Sequence, residues 1–289
     1  NNNNSWQGTA LVKMSGTANA TLAGGGSATR FLDVELAKSA SASVTLSGTI
    51  GTRNDWTQTS GVVDPGSSTV YLHGTSTQVV NGTFFNLTAA STSTVQFGNA
   101  VTVKGKLLQS SGVTDANGKV LTVEYNAGQG VLEVTGGELR LGSATHVIKG
   151  SAAFSGGTVT PQTSKVEFIG PDAATSGISG SVGLYNVKFY HGNSGSSHKT
   201  VNIGGTVTVN GLLEVFGYDT GGWHLYLNGG GTVVAKGSIA GNGKVVRGTA
   251  NLTVSGASGD QTQTNLRWGV SGPYKVAKAS RSLVLAGNE

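Results

Sequence analysis

Acidic side chains are the first candidates for catalysis, because a glycosidase needs two carboxylates about 5–10 Å apart. The chain has only 14 Asp and Glu among 289 residues, and they are scattered. Asp33 and Glu35 stand two positions apart, which places both on one face of a predicted strand. Glu124, Glu133 and Glu138 likewise alternate with Val and Leu. We expect these carboxylates on outward, solvated faces, so the sequence predicts no catalytic residue and no enzyme.

Histidine and cysteine decide the prospects for metal binding. There are five His and no Cys, which excludes thiolate ligands and disulfides. His191 and His198 flank a Gly/Ser loop and form the best pair for a metal ion, but no carboxylate lies near them in the sequence. A histidine in such a loop is usually just solvated. We therefore expect no metal and no cofactor.

Aromatic residues in loops offer a different chemistry, because a flat ring presents an apolar face to a ligand. The segment Tyr-Asp-Thr-Gly-Gly-Trp-His brings Tyr218, Trp223 and His224 close together in the sequence, and it is the best loop for a glycan contact. The other aromatic residues that could stack on sugar rings are Trp6, Trp56, Trp268, Tyr71 and Tyr226. A tryptophan that packs between coils is the structural alternative.

Composition indicates an ordered chain with a thin core. Hydrophobic residues make up 37%, charged residues 11%, and 47 residues are Gly, whereas ordinary domains are about a quarter charged. The net charge of +5 is spread thinly, without a basic patch interleaved with aromatics, so no nucleic-acid partner is expected. No run of 18 apolar residues exists, and no membrane span is expected. The opening Asn-Asn-Asn-Asn-Ser is not a secretion signal.

An internal repeat organises the sequence. Each copy opens with a β-type triplet followed by a residue and Gly, then an aromatic residue or Leu followed by a polar residue and Val or Leu. The copies begin near residues 12, 70, 166 and 252. Copies two and three remain similar beyond these elements. Val-Thr-Val-Lys-Gly-Lys-Leu at 101–107 matches Val-Thr-Val-Asn-Gly-Leu-Leu at 207–213.

The triplets alternate between apolar and polar residues, which predicts short strands with one buried face. Strands this short gain stability by stacking in parallel, one coil covering the next. We therefore predict an all-β fold, a parallel β-solenoid that runs continuously over 1–289, with roughly 20–25 residues per coil and about a dozen coils. Repeats of an antiparallel β-sandwich are the alternative. No helix is expected, even at 31–42, whose counterparts in other copies are β-like.

The phrases Asn-Gly-Thr-Phe-Phe-Asn-Leu-Thr at 81–88 and Val-Thr-Val-Lys-Gly at 101–105 resemble repeats of large bacterial surface proteins. These include parallel β-helix adhesins and filamentous-haemagglutinin-like passengers. The resemblance implies secretion, a β-helix and an adhesive or structural role. We accordingly expect an extracellular or cell-surface location, with the signal sequence absent from this chain.

The ends of the predicted solenoid suggest how it assembles. Neither end shows a capping element, and copy four stops within an apolar strand, so residues 1–13 are a candidate donor strand for a neighbouring copy. This predicts a head-to-tail homopolymer, and a structural subunit of an extracellular bacterial fibre or adhesin stalk. A fragment of a longer chain is one alternative. A carbohydrate-binding or polysaccharide-degrading β-helix protein, with surface glycans as partners, is the other. The predicted interface residues are Trp6, Leu11, Val12, Leu283, Val284 and Leu285.

Overall fold

The computed structural model describes residues 10–126, 130–169, 175–191, 198–217, 224–256, 261–270, 273–277 and 283–286. Contacts along the backbone divide the chain into two compact units. Unit 1 comprises residues 1–142 and 156–158, and unit 2 comprises residues 143–155 and 159–289. Each unit has its own set of parallel strands.

Strands make up 65% of the protein, and the described residues contain no helix. The strands of unit 1 are β1 (Leu11–Gly16), β2 (Ala20–Phe31), β3 (Asp33–Lys38), β4 (Ser43–Thr52), β5 (Trp56–Ser60), β6 (Val62–Asp64), β7 (Thr69–Leu72), β8 (Gln78–Phe84), β9 (Asn86–Ala89), β10 (Thr94–Val103), β11 (Lys106–Gln109), β12 (Val113–Asp115), β13 (Leu121–Val123), β14 (Val131–Val134) and β15 (Glu138–Arg140).

The strands of unit 2 follow. They are β16 (Thr145–Ile148), β17 (Ser151–Phe154), β19 (Lys165–Ile169), β20 (Thr175–Leu184), β21 (Asn186–Tyr190), β22 (Lys199–Ile203), β23 (Thr206–Val209), β24 (Leu213–Phe216), β25 (Leu225–Asn228), β26 (Thr232–Ala235), β27 (Ile239–Gly241), β28 (Val245–Gly248), β29 (Asn251–Val254), β30 (Gln261–Thr264), β31 (Arg267–Val270), β32 (Tyr274–Val276) and β33 (Leu283–Ala286). Strand β18 (Thr158–Thr160) has residues in both units.

Unit 1 contains two long parallel ladders. One joins β1, β3, β5, β8, β10 and β13 in that order. The other joins β2, β4, β7, β9, β11 and β14. Shorter branches pair β6 with β4, and β12 with β10 and β15. Successive coils are thereby in register: Val70, for example, pairs with Ile50 on one side and with Leu87 on the other.

Unit 2 has three parallel ladders, and each coil from β21 to β32 passes through all of them. The first joins β16, β19, β21, β24, β27, β30 and β33. The second joins β17, β20, β22, β25, β28 and β31. The third begins at the second half of β20 and continues through β23, β26, β29 and β32. One coil therefore uses three short strands with a turn between each pair.

The alternation predicted from the triplets is present in the strands. In β7, Val70 and Leu72 are fully buried while Tyr71 between them is half-buried. In β23, Val207 and Val209 are buried on either side of Thr208. Because registers match, each buried residue lies over another in the next coil. Burying one such Val or Leu contributes about 1.5–3 kcal/mol, which is how few apolar residues stabilise a long chain.

These pairings confirm the all-β prediction and the parallel β-solenoid. Together the two units make about 11 turns, close to the dozen expected. Every strand pairing described above is parallel, so the antiparallel sandwich is excluded. The stretch at 31–42 contains β3, and it follows the pattern of its counterparts rather than its helix propensity. The four predicted repeat starts fall on β1, β7, β19 and β29.

Candidate functional site

A cleft in unit 1 is built on three neighbouring strands. Phe84 pairs in register with Val103, and Val103 pairs with Val123. All three are fully buried. The residue after each of them leaves the strand and turns outward, which brings Phe85, Lys104 and Glu124 onto one surface. Backbone hydrogen bonds between successive coils fix these positions. Lys104 N donates to Phe84 O at 2.9 Å, and Glu124 N donates to Val103 O at 2.8 Å.

The facing wall of the cleft is a tight turn after β6. Gly66 N donates to the Asp64 carboxylate at 3.1 Å, and Ser68 N donates to Pro65 O at 3.0 Å. The cavity measures about 620 Å³. Its lining combines aromatic rings, hydroxyls, two carboxylates and one ammonium: Val63, Asp64, Pro65, Gly66, Thr83, Phe85, Thr102, Lys104, Glu124, Tyr125 and Asn126.

This lining suits a sugar better than an apolar ligand. Phe85 and Tyr125 are half-buried, so each has a rigid position and some free ring surface. The carboxylates of Asp64 and Glu124 can accept hydrogen bonds from hydroxyls, and the amide of Asn126 can both accept and donate them. Sequence reasoning treated Glu124 as one of several solvated carboxylates. The signal it lacked was the coil register that brings residues 64, 85, 104 and 124 together.

The other acidic residues behave as expected. Glu35 pairs with Lys13 across β1 and β3 at 2.9 Å, and Asp33 accepts a hydrogen bond from Asp55 N at 3.1 Å. Glu133 pairs with Lys106 at 2.7 Å, and Glu138 with Arg140 at 2.8 Å. All four carboxylates lie on outward faces, three in partly solvated ion pairs and one in a turn. Such an ion pair contributes about 0–1 kcal/mol to the free energy of unfolding. They are structural.

The predicted glycan loop is only partly described. Tyr218 and Trp223 lie outside the described residues, whereas His224 is described and half-buried. His224 stacks on His198, with ring centroids 5.8 Å apart, and His224 N donates to His198 Nδ1 at 3.1 Å. Tyr226 meets the His198 ring edge-on at 5.1 Å. Outward residues of two adjacent coils thus form an aromatic cluster beside the loop.

Two other aromatic candidates have structural positions. Trp56 is 1% exposed and packs against Phe84 at 5.9 Å between ring centroids. The indole of Trp56 therefore lies in the core, which is the alternative of a tryptophan packed between coils. Tyr71 is half-buried and stacks on His73 at 5.4 Å.

The first coil of unit 1 has a half-covered inner face. Among the described residues, β1 pairs with β3 alone. Val12 and Met14 pair with Val34 and Leu36, which are each 1% exposed, yet Val12 and Met14 are only half-buried themselves. Leu11 is 52% exposed. Trp6, the other predicted interface residue here, lies outside the described residues.

Unit 2 has a similar uncovered face on β32. Tyr274 and Val276 pair with Leu252 and Val254, which are fully buried, but they are 37% and 50% exposed. Strand β33, which contains Leu283, Val284 and Leu285, pairs in register with β30. Among the described residues no further strand pairs with β32 or β33.

Comparison with protein-family models finds no match, and comparisons with curated proteins and with solved structures find none either. The resemblance to bacterial surface proteins therefore rests on the repeat phrases, and its established part is the parallel β-solenoid.

The described part of the chain has no helix long and apolar enough to cross a membrane. It also has no group of three His, Asp or Glu arranged to hold a metal.

Proposed function

We propose that the protein is a non-catalytic structural subunit of an extracellular bacterial fibre or adhesin stalk that assembles end to end. The observation that carries this proposal is the apolar face of β1, which no strand of the described residues covers on the side away from β3. There Val12 and Met14 occupy positions that are fully buried one coil further on. A strand with an unpaired edge and an apolar face is a template for adding another strand.

The partner is a second copy of the same chain. In the described part of unit 2, no further strand covers β32, and Tyr274 and Val276 are exposed there. If the coil of β1 in one copy stacked on the coil that contains β32 and β33 in another, with β1 beside β33, both faces would be buried and the parallel ladders would continue. Such a contact joins two different surfaces and does not close, so it generates a fibre. The extracellular location is supported by the repeat phrases and by a surface of Ser, Thr and Asn.

Charge placed on the uncovered face tests assembly directly. Val12→Lys puts an ammonium where a covering coil would pack, while Ser15→Lys adds the same charge on the outward side of β1. Negative-stain microscopy and light scattering of concentrated protein should show fibres for the wild type and Ser15→Lys, and short rods for Val12→Lys. Short rods from the wild type at high concentration would contradict the proposal.

A second candidate function is favoured by the cleft between Asp64 and Tyr125. Ligand pockets combine aromatic surfaces with a few polar groups that fix the ligand's orientation, and the lining of the cleft has this composition. This function is compatible with a fibre, since an adhesin stalk can carry a glycan site on its side.

The matched variants Tyr125→Ala and Tyr185→Ala distinguish glycan binding in the cleft from nonspecific binding to exposed tyrosines. Tyr185 is an exposed tyrosine of unit 2 and does not line the cleft. In titrations with neutral and acidic oligosaccharides, Tyr125→Ala should weaken binding about tenfold, as loss of a stacking ring does, and Tyr185→Ala should not. Release of reducing ends that stops in Glu124→Gln would assign polysaccharide degradation instead. Equal binding by both tyrosine variants would remove the cleft as a glycan site.

A further inference from the structure

Three basic side chains gather at one corner of unit 1. Arg30 lies near the end of β2, Arg53 follows the last residue of β4, and His73 follows the last residue of β7. These strands are neighbours in one ladder, since β4 pairs with both β2 and β7. The corner therefore stacks one basic residue from each of three successive coils. They enclose a cavity of about 400 Å³, together with Leu32, Asn54, Gly74 and Thr75.

The lining of this corner is basic. The residues that line the cavity include two guanidinium groups and an imidazole, and none of them has a carboxylate. Burial lowers the pKa of His73, and the positive charges of Arg30 and Arg53 lower it further. Its Nε2 atom is buried and has no hydrogen-bond partner among the described residues. A buried polar atom of this kind is uncommon, and a bound ion or water is one of its established explanations.

The backbone around the cavity is held rigidly. Arg53 N donates to Phe31 O at 3.0 Å, and His73 N donates to Thr52 O at 3.2 Å. A Cβ atom at Gly74 would collide with the carbonyl oxygen of Arg53, so the two coils approach there as closely as glycine allows. The amide of Gln78 accepts from Gly74 N at 2.9 Å and donates to Asn54 O at 2.7 Å. The basic groups thus project from a preformed corner.

We propose that this corner binds an oxyanion, a sulfate, phosphate or carboxylate group, between the guanidinium groups of Arg30 and Arg53 and the imidazole of His73. Guanidinium forms paired, charge-assisted hydrogen bonds with such oxygens. A bound anion would offset the repulsion among the cations, and its oxygens would give His73 Nε2 a partner. The proposal is independent of fibre assembly and of the saccharide cleft, because it uses neither set of residues.

Titration with sodium sulfate at constant ionic strength, balanced with sodium chloride, tests the proposal. The readouts are calorimetry and the NMR signals of the His73 ring. Arg30→Gln and Arg53→Gln should each weaken sulfate binding about tenfold or more, because each removes a charge-assisted pair. Arg140→Gln is the control, since Arg140 belongs to the same unit but is paired with Glu138 at the surface. Arg53→Lys keeps the charge and loses the planar fork, so it should fold and bind less tightly.

A second arm distinguishes a free anion from a charged group on a polymer. A sulfated oligosaccharide that binds more tightly than sulfate, and more tightly than its unsulfated form, assigns a group on a polysaccharide. Equal affinity for sulfate and the sulfated sugar assigns a free anion. The proposal is overturned if the wild type shows no saturable binding up to about 50 mM sulfate, or if both glutamine variants bind as the wild type does.

Discussion

The side-chain oxygen Oδ1 of Asn86 accepts a hydrogen bond from the backbone N–H of Lys106 at 2.8 Å, one coil further along the chain. The same bond recurs in copy three of the repeat, where Oδ1 of Asn186 accepts from Leu212 N at 2.7 Å. Both asparagines follow an aromatic residue and precede a buried aliphatic one. The asparagine of the repeat therefore connects two successive coils by a hydrogen bond between its side chain and the backbone.

Removing the hydrogen bond between Asn86 and Lys106 should destabilise unit 1. Asn86→Ala removes the acceptor of the exposed Lys106 N–H, which costs about 0.5–1.5 kcal/mol in the free energy of unfolding because water can take its place. Asn86→Asp keeps an oxygen at the same place and should cost less. Urea unfolding followed by circular dichroism measures the difference. Equal destabilisation by the two variants would argue against a role as acceptor.

The buried amide of Gln78 should contribute more. It accepts from Gly74 N at 2.9 Å and donates to Asn54 O at 2.7 Å and Thr52 O at 3.3 Å. Gln78→Met keeps the volume but leaves the buried Gly74 N–H without its acceptor, which costs about 1–3 kcal/mol, and it removes one of the donors to Asn54 O and to Thr52 O. Gln96→Met, in the outward row of β10, is the control and should change stability by less than about 0.5 kcal/mol. A small effect of Gln78→Met in urea unfolding would contradict the assignment.

The in-out alternation of β23 can be tested by one charge at adjacent positions. Val207→Asp buries a carboxylate in the core and should lower the free energy of unfolding by about several kcal/mol. A loss of this size should prevent this part of unit 2 from folding. Thr208→Asp places the same carboxylate outside and should remain within about 1 kcal/mol of the wild type. Thermal unfolding and protease resistance measure both. Similar tolerance at the two positions would mean that the strand does not bury alternate residues.

The environment of His73 predicts a pH dependence of stability. Burial, then Arg30 and Arg53, hold its pKa in the folded protein below the usual value of 6.5, so the unfolded chain binds more protons in this range. The stabilising contribution is complete above about pH 6.5 and is lost as pH falls through the folded pKa. His73→Gln removes this dependence. The wild type should therefore lose stability relative to His73→Gln between about pH 7.5 and 5 in urea titrations, and parallel curves would contradict the prediction.

Much of the fold follows from local pattern. Alternating triplets such as Val70-Tyr71-Leu72 mark strands because a half-buried strand has a period of two residues. The matching asparagines at 86 and 186 could also be aligned from the sequence. A further shared feature is a turn before the strand, in which Ser68 N bonds Pro65 O and Ser164 N bonds Pro161 O, both at 3.0 Å.

The candidate sites could not be predicted in this way, because they depend on the register between coils. Coil length varies: Val70 pairs with Leu87, whereas Leu107 pairs with the more distant Leu132. No fixed period therefore tells which outward residues become neighbours. The basic corner combines residues 30, 53 and 73, and the cleft combines residues 64, 85, 104 and 124. Neither set forms a motif along the chain.

The stacking of successive coils in parallel register is the central claim, and the absence of Cys in the sequence allows a clean test. Thr208 pairs with Val234, and Val234 pairs with Thr253 in the following coil. A disulfide needs Cα atoms within about 7 Å, while strands two apart are separated by about 9–10 Å.

Mild oxidation of dilute protein, followed by mass spectrometry, is the measurement. The pair Thr208→Cys and Val234→Cys should cross-link within one chain, and the pair Thr208→Cys and Thr253→Cys should stay reduced. Efficient cross-linking of the second pair, or none in the first, would contradict the stacked parallel solenoid.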